Sequence, residues 1–328
     1  MTPHEILAAI PKLSALVVGD VCLDRWCTYD PAVSEPSRET GIPRLGVVAT
    51  EVTAGAAGTV ANNLAALGCN RVSVLGVIGD DGFGFELSHA LDSRGIESRF
   101  CVRTSAMQTF TYTKLINRQT GVEDQPRVDF INIVPLDSSV EREVIANLHQ
   151  AIADFDVVII SDQAETGQGG VVTPAVRDAL CELARLHPHK TFIVDSRARI
   201  TEFRNVIAKP NQHEGEAACG ALFGRVDYAA LRAHLSTDLL MITHGGDGVL
   251  LVHPDREEWV RTQPVADPVD ICGAGDSFSA GSALALAAGA SAAEAASFGN
   301  LAASIAIMQK GTGVASREEI AQRCTSSQ

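Results

Sequence analysis

The chain has 328 residues, 46% of them hydrophobic, which is enough for a sizeable core in one large α/β domain or two smaller ones. Lys plus Arg number 26 against 40 Asp plus Glu, a net charge of −14. That balance argues against a nucleic-acid or anionic-membrane surface and leaves room only for a local basic pocket. The cysteines, Cys22, Cys27, Cys69, Cys101, Cys181, Cys219, Cys272 and Cys324, form no C-x-x-C pair. Free thiols in a reducing cytoplasm are expected, rather than a disulfide framework or a zinc site.

The first twelve residues lack a basic region followed by a long apolar run, and no apolar stretch approaches the roughly 18 residues of a membrane span. A cytoplasmic protein is the expectation. In chain order, residues 15–19, 72–77, 157–161, 192–195, 239–243 and 249–252 read as short buried strands. Residues 60–67, 84–94, 140–153 and 172–186 show helical spacing, and an Ala-rich helix runs from 277 to about 288. Strands alternating with helices predict an α/β fold with a mainly parallel sheet covered on both faces. Residues 29–53 and 109–133 break the rhythm by alternating apolar and polar residues. They read either as an accessory antiparallel sheet acting as a lid, or as plain surface loops. No repeat or linker divides the chain, so 1–328 is expected to be one domain.

The stretch Gly273-Ala274-Gly275-Asp276 carries the most chemistry. Glycines permit a tight turn, and the free amides of a following helix favour an anion such as phosphate. Asp276 then has two readings: an ordinary N-cap, or a base that takes a proton from a hydroxyl attacking a phosphate. Asn211 and Glu214, three residues apart behind Lys209-Pro210, read as a capping box or as oxygen ligands holding magnesium through water. Thr243-His244-Gly245-Gly246-Asp247-Gly248 is a glycine-rich hairpin turn or a backbone wrapped around a nucleotide. Asp20 and Asp24 follow the first strand, where an open parallel sheet binds ligands, and suit sugar hydroxyls unless one caps a turn. No P-loop and no dinucleotide fingerprint is present, so a nucleotide site must be built otherwise.

Together these segments resemble the ribokinase-like (PfkB) carbohydrate kinases, from residue 15 to about 319. The shared motifs are Asp270-x-x-Gly273-Ala274-Gly275-Asp276, Asn211-x-x-Glu214, Thr243-x-Gly245-x-x-Gly248 and Gly19-x-x-x-x-Asp24. The resemblance implies an ATP- and magnesium-dependent kinase with a large α/β domain, a small β lid and a sugar substrate. It implies that Asp276 is the base and that the amides of Gly273, Ala274, Gly275 and Asp276 form an anion hole. It places Asn211 and Glu214 at magnesium, and Thr243, Gly245, Gly248 and Asn300 at the nucleotide. In some relatives a monovalent cation, potassium, lies near the position of Asp270. Lid faces pair in many members, so a homodimer is expected.

Within the family the likeness is nearest to the heptose 7-phosphate kinases of ADP-heptose synthesis, which phosphorylate the anomeric hydroxyl. It rests on Val18-Gly19-Asp20-Val21-x-Leu23-Asp24-Arg25, Pro36-Ser37-Arg38-Glu39, Arg127-Val128-Asp129-Phe130 and Asn300-Leu301-Ala302-Ala303. Arg38, Arg127 and Arg197 are the candidate cations for a sugar phosphate. The chain departs from the family at 54–59. Gly55 is kept, its usual glycine neighbour is Ala, and Thr59 stands where Asn is usual, with Asn63 following. Asp195-Ser196-Arg197 replaces a usual Asp-Pro-Lys. These departures leave a free hexose, a pentose or a nucleoside as alternative acceptors, and a non-catalytic sensor as a third reading. No counterpart of the adenylyltransferase domain fused to some relatives is present, so nucleotidyl transfer is expected to fall to a separate protein.

Overall fold

Apolar runs with no polar alternation need cover on both faces, and they set the centre of the molecule. The computed structural model describes residues 1–164, 166, 168–262 and 264–326. Residues 165, 167, 263, 327 and 328, which the domain expected over 1–328 includes, lie outside the described residues. The first half contains α1 (Pro3–Ala9), β1 (Ser14–Gly19), β2 (Val21–Tyr29), β3 (Val47–Ala56), α2 (Ala57–Ala66), β4 (Arg71–Leu75), β5 (Val77–Gly79), α3 (Gly82–Asp92), β6 (Val102–Thr104), β7 (Thr111–Asn117) and β8 (Val128–Phe130). The second half contains α4 (Ser138–Ala151), β9 (Val157–Asp162), α5 (Pro174–Leu186), β10 (Thr191–Ser196), β11 (Ile207–Ala208), α6 (Gln212–Phe223), α7 (Tyr228–His234), β12 (Leu240–Thr243), β13 (Val249–Val252), β14 (Glu257–Val260), α8 (Ala274–Ala287), α9 (Ala292–Ala306) and α10 (Arg317–Ser326).

Eight strands form one sheet in the order β14-β13-β12-β11-β10-β9-β1-β4. Pairing is parallel from β4 to β12, and β13 and β14 join antiparallel. Successive residues of the central strands point to opposite faces. Val17 and Ile159 therefore pack with Leu64 of α2, Phe278 of α8 and Ala302 of α9. Leu16, Val18, Val158 and Ile160 pack with Val144 of α4 and Val176 of α5. The expected strand over 72–77 is in fact two. It breaks at Gly76, where a Cβ would lie 2.7 Å from the Gly19 carbonyl oxygen, and β5 leaves to pair with β6. The strand β14 has no counterpart among the sequence expectations, because Glu257 and Glu258 interrupt its apolar pattern.

The accessory sheet expected as a lid is present as four strands in the order β3-β2-β7-β8. Its expected limits and its wholly antiparallel pairing need correction. β2 begins at Val21, and residues 30–46 form a loop whose regular elements are one short turn, Pro31–Val33, and an isolated bridge from Pro36 to Pro43. β2 pairs parallel with β7, from Leu23 against Thr111 to Tyr29 against Asn117. The chain reaches β7 through a long crossover containing α2 and α3, and such a return allows parallel pairing.

The junction from lid to core is strained. Ala56, at the end of β3 and the N-cap of α2, has φ 52° and ψ −117°, backbone that glycine favours. A glycine here, as the resemblance expects next to Gly55, would meet this backbone demand without strain. Ala56→Gly should stabilise the fold by about 1 kcal/mol, strain relief outweighing glycine's larger entropy loss, and raise the thermal midpoint by about 2 °C. Calorimetry showing an unchanged or lower midpoint would contradict this.

Candidate active site

The site is assembled at the carboxyl ends of the sheet strands, around the start of α8. Gly273 is the N-cap residue, with φ 81°, and no side chain caps this helix. Asp276 sits three residues further on and is half-buried. The ordinary alternative, Asp276 as a cap, is therefore removed: its carboxylate bonds no helix amide among the described residues. The Ala274 amide turns back to the Ile271 carbonyl at 3.3 Å, and the Ser277 amide donates to the Gly273 carbonyl at 2.9 Å. The Gly275 and Asp276 amides have no acceptor among the described residues, so the helix opens with two donors available to an anion.

The electrostatics around this turn suit a base. Burial raises the Asp276 carboxyl to about 7, helped by Asp195 and Asp24, while Lys209 and Arg197 oppose the shift. Lys209 is 2% exposed and pairs with Asp195 at 2.8 Å. Burial alone would lower the Lys209 pKa, but Asp195, with Glu214 and Asp276, outweighs it and the ammonium is held. Gly275 lies against this pair: a Cβ there would sit 3.6 Å from Lys209 Nζ. Asn211 and Glu214 do form a capping box at the start of α6. The Asn211 amide donates to Glu214 Oε2 at 2.8 Å, and the Glu214 amide to Asn211 Oδ1 at 2.9 Å. Burial raises the Glu214 carboxyl, and Asp195 adds to that.

Two cavities meet at this helix start. One is lined by Asp276, Asp24, Thr59, Trp26, Lys114 and Arg127, among others. The other is lined by Ala274, Gly275, Thr243, Gly245, Gly248 and Asn300, among others. Gly248 has φ 104°, and a Cβ there would lie 2.2 Å from the Val260 carbonyl oxygen. Asp24 comes from the lid strand β2, and its carboxyl is raised to about 6, by burial first, with Lys114 and Arg127 opposing. Gly55 makes room for it: a Cβ at 55 would stand 2.4 Å from Asp24 Oδ2.

Four expected positions lie elsewhere or act indirectly. Asp20 is buried and accepts amide protons from Gln163 and Ala164, each at 2.8 Å, and Val171 at 2.7 Å. Its oxygens pin a loop and are not offered to a sugar. Arg38 is exposed in the loop after β2 and lines neither cavity. Asn63 is buried and donates to the Thr59 carbonyl at 3.0 Å, so it supports the turn that carries Thr59. Asp270 accepts from the Cys272 amide at 2.9 Å and the Gly311 amide at 3.2 Å, fastening the loop before α8. Sequence reasoning missed Asp195, Lys209, Lys114, Trp26 and Tyr112. Lys209 stands directly before Pro210-Asn211, and the period of two along β2 and β7 puts Trp26, Tyr112 and Lys114 on the face of Asp24.

Fold and site together define a phosphotransferase with a hydroxyl acceptor. The chain belongs to the pfkB family of carbohydrate kinases: residues 14–319 match the family described as pfkB family carbohydrate kinase. It is 32% identical over 320 residues to the bifunctional protein HldE of Trichlorobacter lovleyi, covering 94% of this chain and 62% of that one. To the bifunctional protein HldE of Caulobacter vibrioides it is 33% identical over 346 residues, covering 99% and 67%. The chain thus spans under two thirds of the length of the first of these. Phosphofructokinase-2 of Escherichia coli in complex with potassium superimposes with a TM-score of 0.70 at 20% identity, covering 96% of this chain and 100% of that one. Arabidopsis thaliana ribokinase complexed with ribose and ATP gives 0.67 at 20%, covering 94% and 98%. These two likenesses show the fold. The cysteines are free thiols. No described helix is long and apolar enough to cross a membrane.

The raised Asp276 pKa has a consequence for stability. Its folded value, about 7, exceeds the ordinary 3.8, so the folded chain keeps a proton that the unfolded chain has lost. Ionising the group in the fold therefore costs stability progressively between about pH 4 and 7, and the whole cost is present above about pH 8. Asp276→Asn should melt about 3 °C above the parent at pH 8, with the gap closing as pH falls to 4. A pH-independent gap in thermal scans would count against the burial account.

Proposed function

We propose that this sugar kinase transfers the γ-phosphate of ATP to the anomeric hydroxyl of a phosphorylated heptose, heptose 7-phosphate. The observation that carries the reading is Asp276 at the start of α8, between a cavity walled by the lid and one walled by Thr243, Gly248 and Asn300. The relatives named HldE and the heptose-kinase passages around Asp24 and Arg127 support the choice of sugar.

In this mechanism the sugar lies under the lid with a hydroxyl against Asp276, oriented by Asp24. Asp276 takes the hydroxyl proton as the oxygen attacks in line. The Gly275 and Asp276 amides, with Lys209 nearby, receive the charge that develops on the transferred phosphoryl group. Glu214 and Asn211 would hold magnesium through water. No described cluster of three or more acidic, His or Cys side chains forms a protein cage, and magnesium commonly keeps its waters and substrate phosphates as ligands. When bound, that ion neutralises phosphate charge. Asp270 gives both oxygens to amides, so no step is assigned to a monovalent cation there. A cytoplasmic homodimer paired through the lid accompanies this reading. Val47, Val48 and Val52 of β3 are exposed, and a monomer mass by light scattering would remove that part.

A second reading, a free hexose, pentose or nucleoside as acceptor, draws on Thr59 and Ala56, which line the sugar cavity where relatives differ. An ADP-release screen across free and phosphorylated sugars separates the two. Release confined to unphosphorylated acceptors would overturn the heptose phosphate reading. Asp276→Asn should lower kcat by about 10³-fold while leaving nucleotide affinity within about threefold, by calorimetry. Near-normal turnover in that variant would remove the base assignment.

A further inference from the structure

The sugar cavity has the opposite charge balance to the chain around it. The protein carries −14, yet Arg25, Lys114, Arg127 and Arg197 line this cavity against two carboxylates, Asp24 and Asp276. Three of these cations are already engaged, Arg197 among them. Arg25 pairs with Glu86 at 3.1 Å and lies over the Phe83 ring. Arg127 donates to Asp129 at 3.0 and 2.7 Å and lies over Tyr112. Lys114 differs: half-buried on β7, it makes no hydrogen bond or ion pair among the described residues.

Its place on the lid is defined by register. Asp24 faces Tyr112 across β2 and β7, and Trp26 faces Lys114, so Lys114 stands one cross-strand pair further along the same face than Asp24. Lys114 acts on the Asp24 carboxylate only through space, with no described residue taking its N–H groups, so those donors are completed by an anionic group on the ligand. Lysine suits this role as a compact point charge able to donate three hydrogen bonds to phosphate oxygens.

We infer that Lys114 is the residue that selects a phosphorylated over an unphosphorylated acceptor, by receiving the distal phosphate of the sugar in an anion subsite under the lid. The inference rests on the sugar-kinase reading above and deepens it. Arg127, fixed by Asp129 and stacked on Tyr112, forms the rigid wall of the subsite. Lys114 supplies N–H donors that no described residue takes.

The test compares wild type, Lys114→Met and Lys114→Arg on two acceptors, heptose 7-phosphate and the corresponding free heptose. Lys114→Met should raise KM for heptose 7-phosphate by about 30-fold with kcat within about twofold, and change KM for free heptose by less than about threefold. Lys114→Arg should recover most of the loss. Equal effects on both acceptors, or none on either, would overturn the inference. A second arm titrates inorganic phosphate into protein saturated with magnesium and a non-hydrolysable ATP analogue. Binding should weaken by about tenfold in Lys114→Met. If no sugar phosphate is turned over but phosphate still binds in a Lys114-dependent way, the heptose reading falls and the subsite stands. Equal phosphate binding by wild type and Lys114→Met overturns the subsite itself.

Discussion

A carboxylate withdrawn from water at the open start of a helix is the constraint around which this molecule is built. Asp276 carries it, and desolvation together with Asp195 and Asp24 makes its ionisation costly. The helix amides beside it favour an anion, yet the carboxylate next to them repels one. Both conditions hold only because Lys209 is buried against Asp195 at 2.8 Å and offsets part of the negative charge. Removing one member of such a pair leaves a buried charge uncompensated, which typically costs several kcal/mol. The Lys209–Asp195 pair thus supports the fold and sets the charge around the Asp276 carboxyl through the same contact.

The two sheets divide the remaining work. The eight-stranded sheet fixes Asp195, Lys209 and Thr243 at strand ends, on backbone packed from both faces. The lid supplies Asp24, Trp26, Tyr112 and Lys114 from two strands in parallel register. The join between them is the tight passage at Gly55 and Ala56. There one residue yields space to the Asp24 carboxylate and the next turns the chain at positive φ. The position of the Asp24 carboxylate in its cavity is therefore tied to backbone geometry as well as to side chains. A change at 55 would move Asp24 without touching it chemically.

Much of this was legible in the sequence, for reasons that differ by element. Strands β1, β9 and β10 are uninterrupted apolar runs, and the glycine turn before α8 carries its conformational demand in its composition. Thr243, Gly245, Gly248 and Asn300 fell together because their motifs fix local backbone, and local backbone is what a motif encodes. Asp20 and Asp24 were alike on paper, four residues apart. The fold separates them, turning Asp20 onto three loop amides and Asp24 towards the cavity. Arg38 lies in a loop whose direction no periodicity records. Lys114 was overlooked because its role depends on β7 arriving parallel beside β2, a long-range pairing that alternation along one strand cannot reveal. The Asn211–Glu214 capping box is present, which bears out the structural reading of that motif.

Direct titration of the Asp276 carboxyl tests the central claim most closely. Carbon-13 NMR of side-chain carboxyls, with Asp276→Asn assigning the resonance, reads its midpoint in the intact chain. The account predicts a midpoint near 7, well above the ordinary 3.8. A midpoint near 4 would mean that water reaches the group freely and that the buried-base account is wrong.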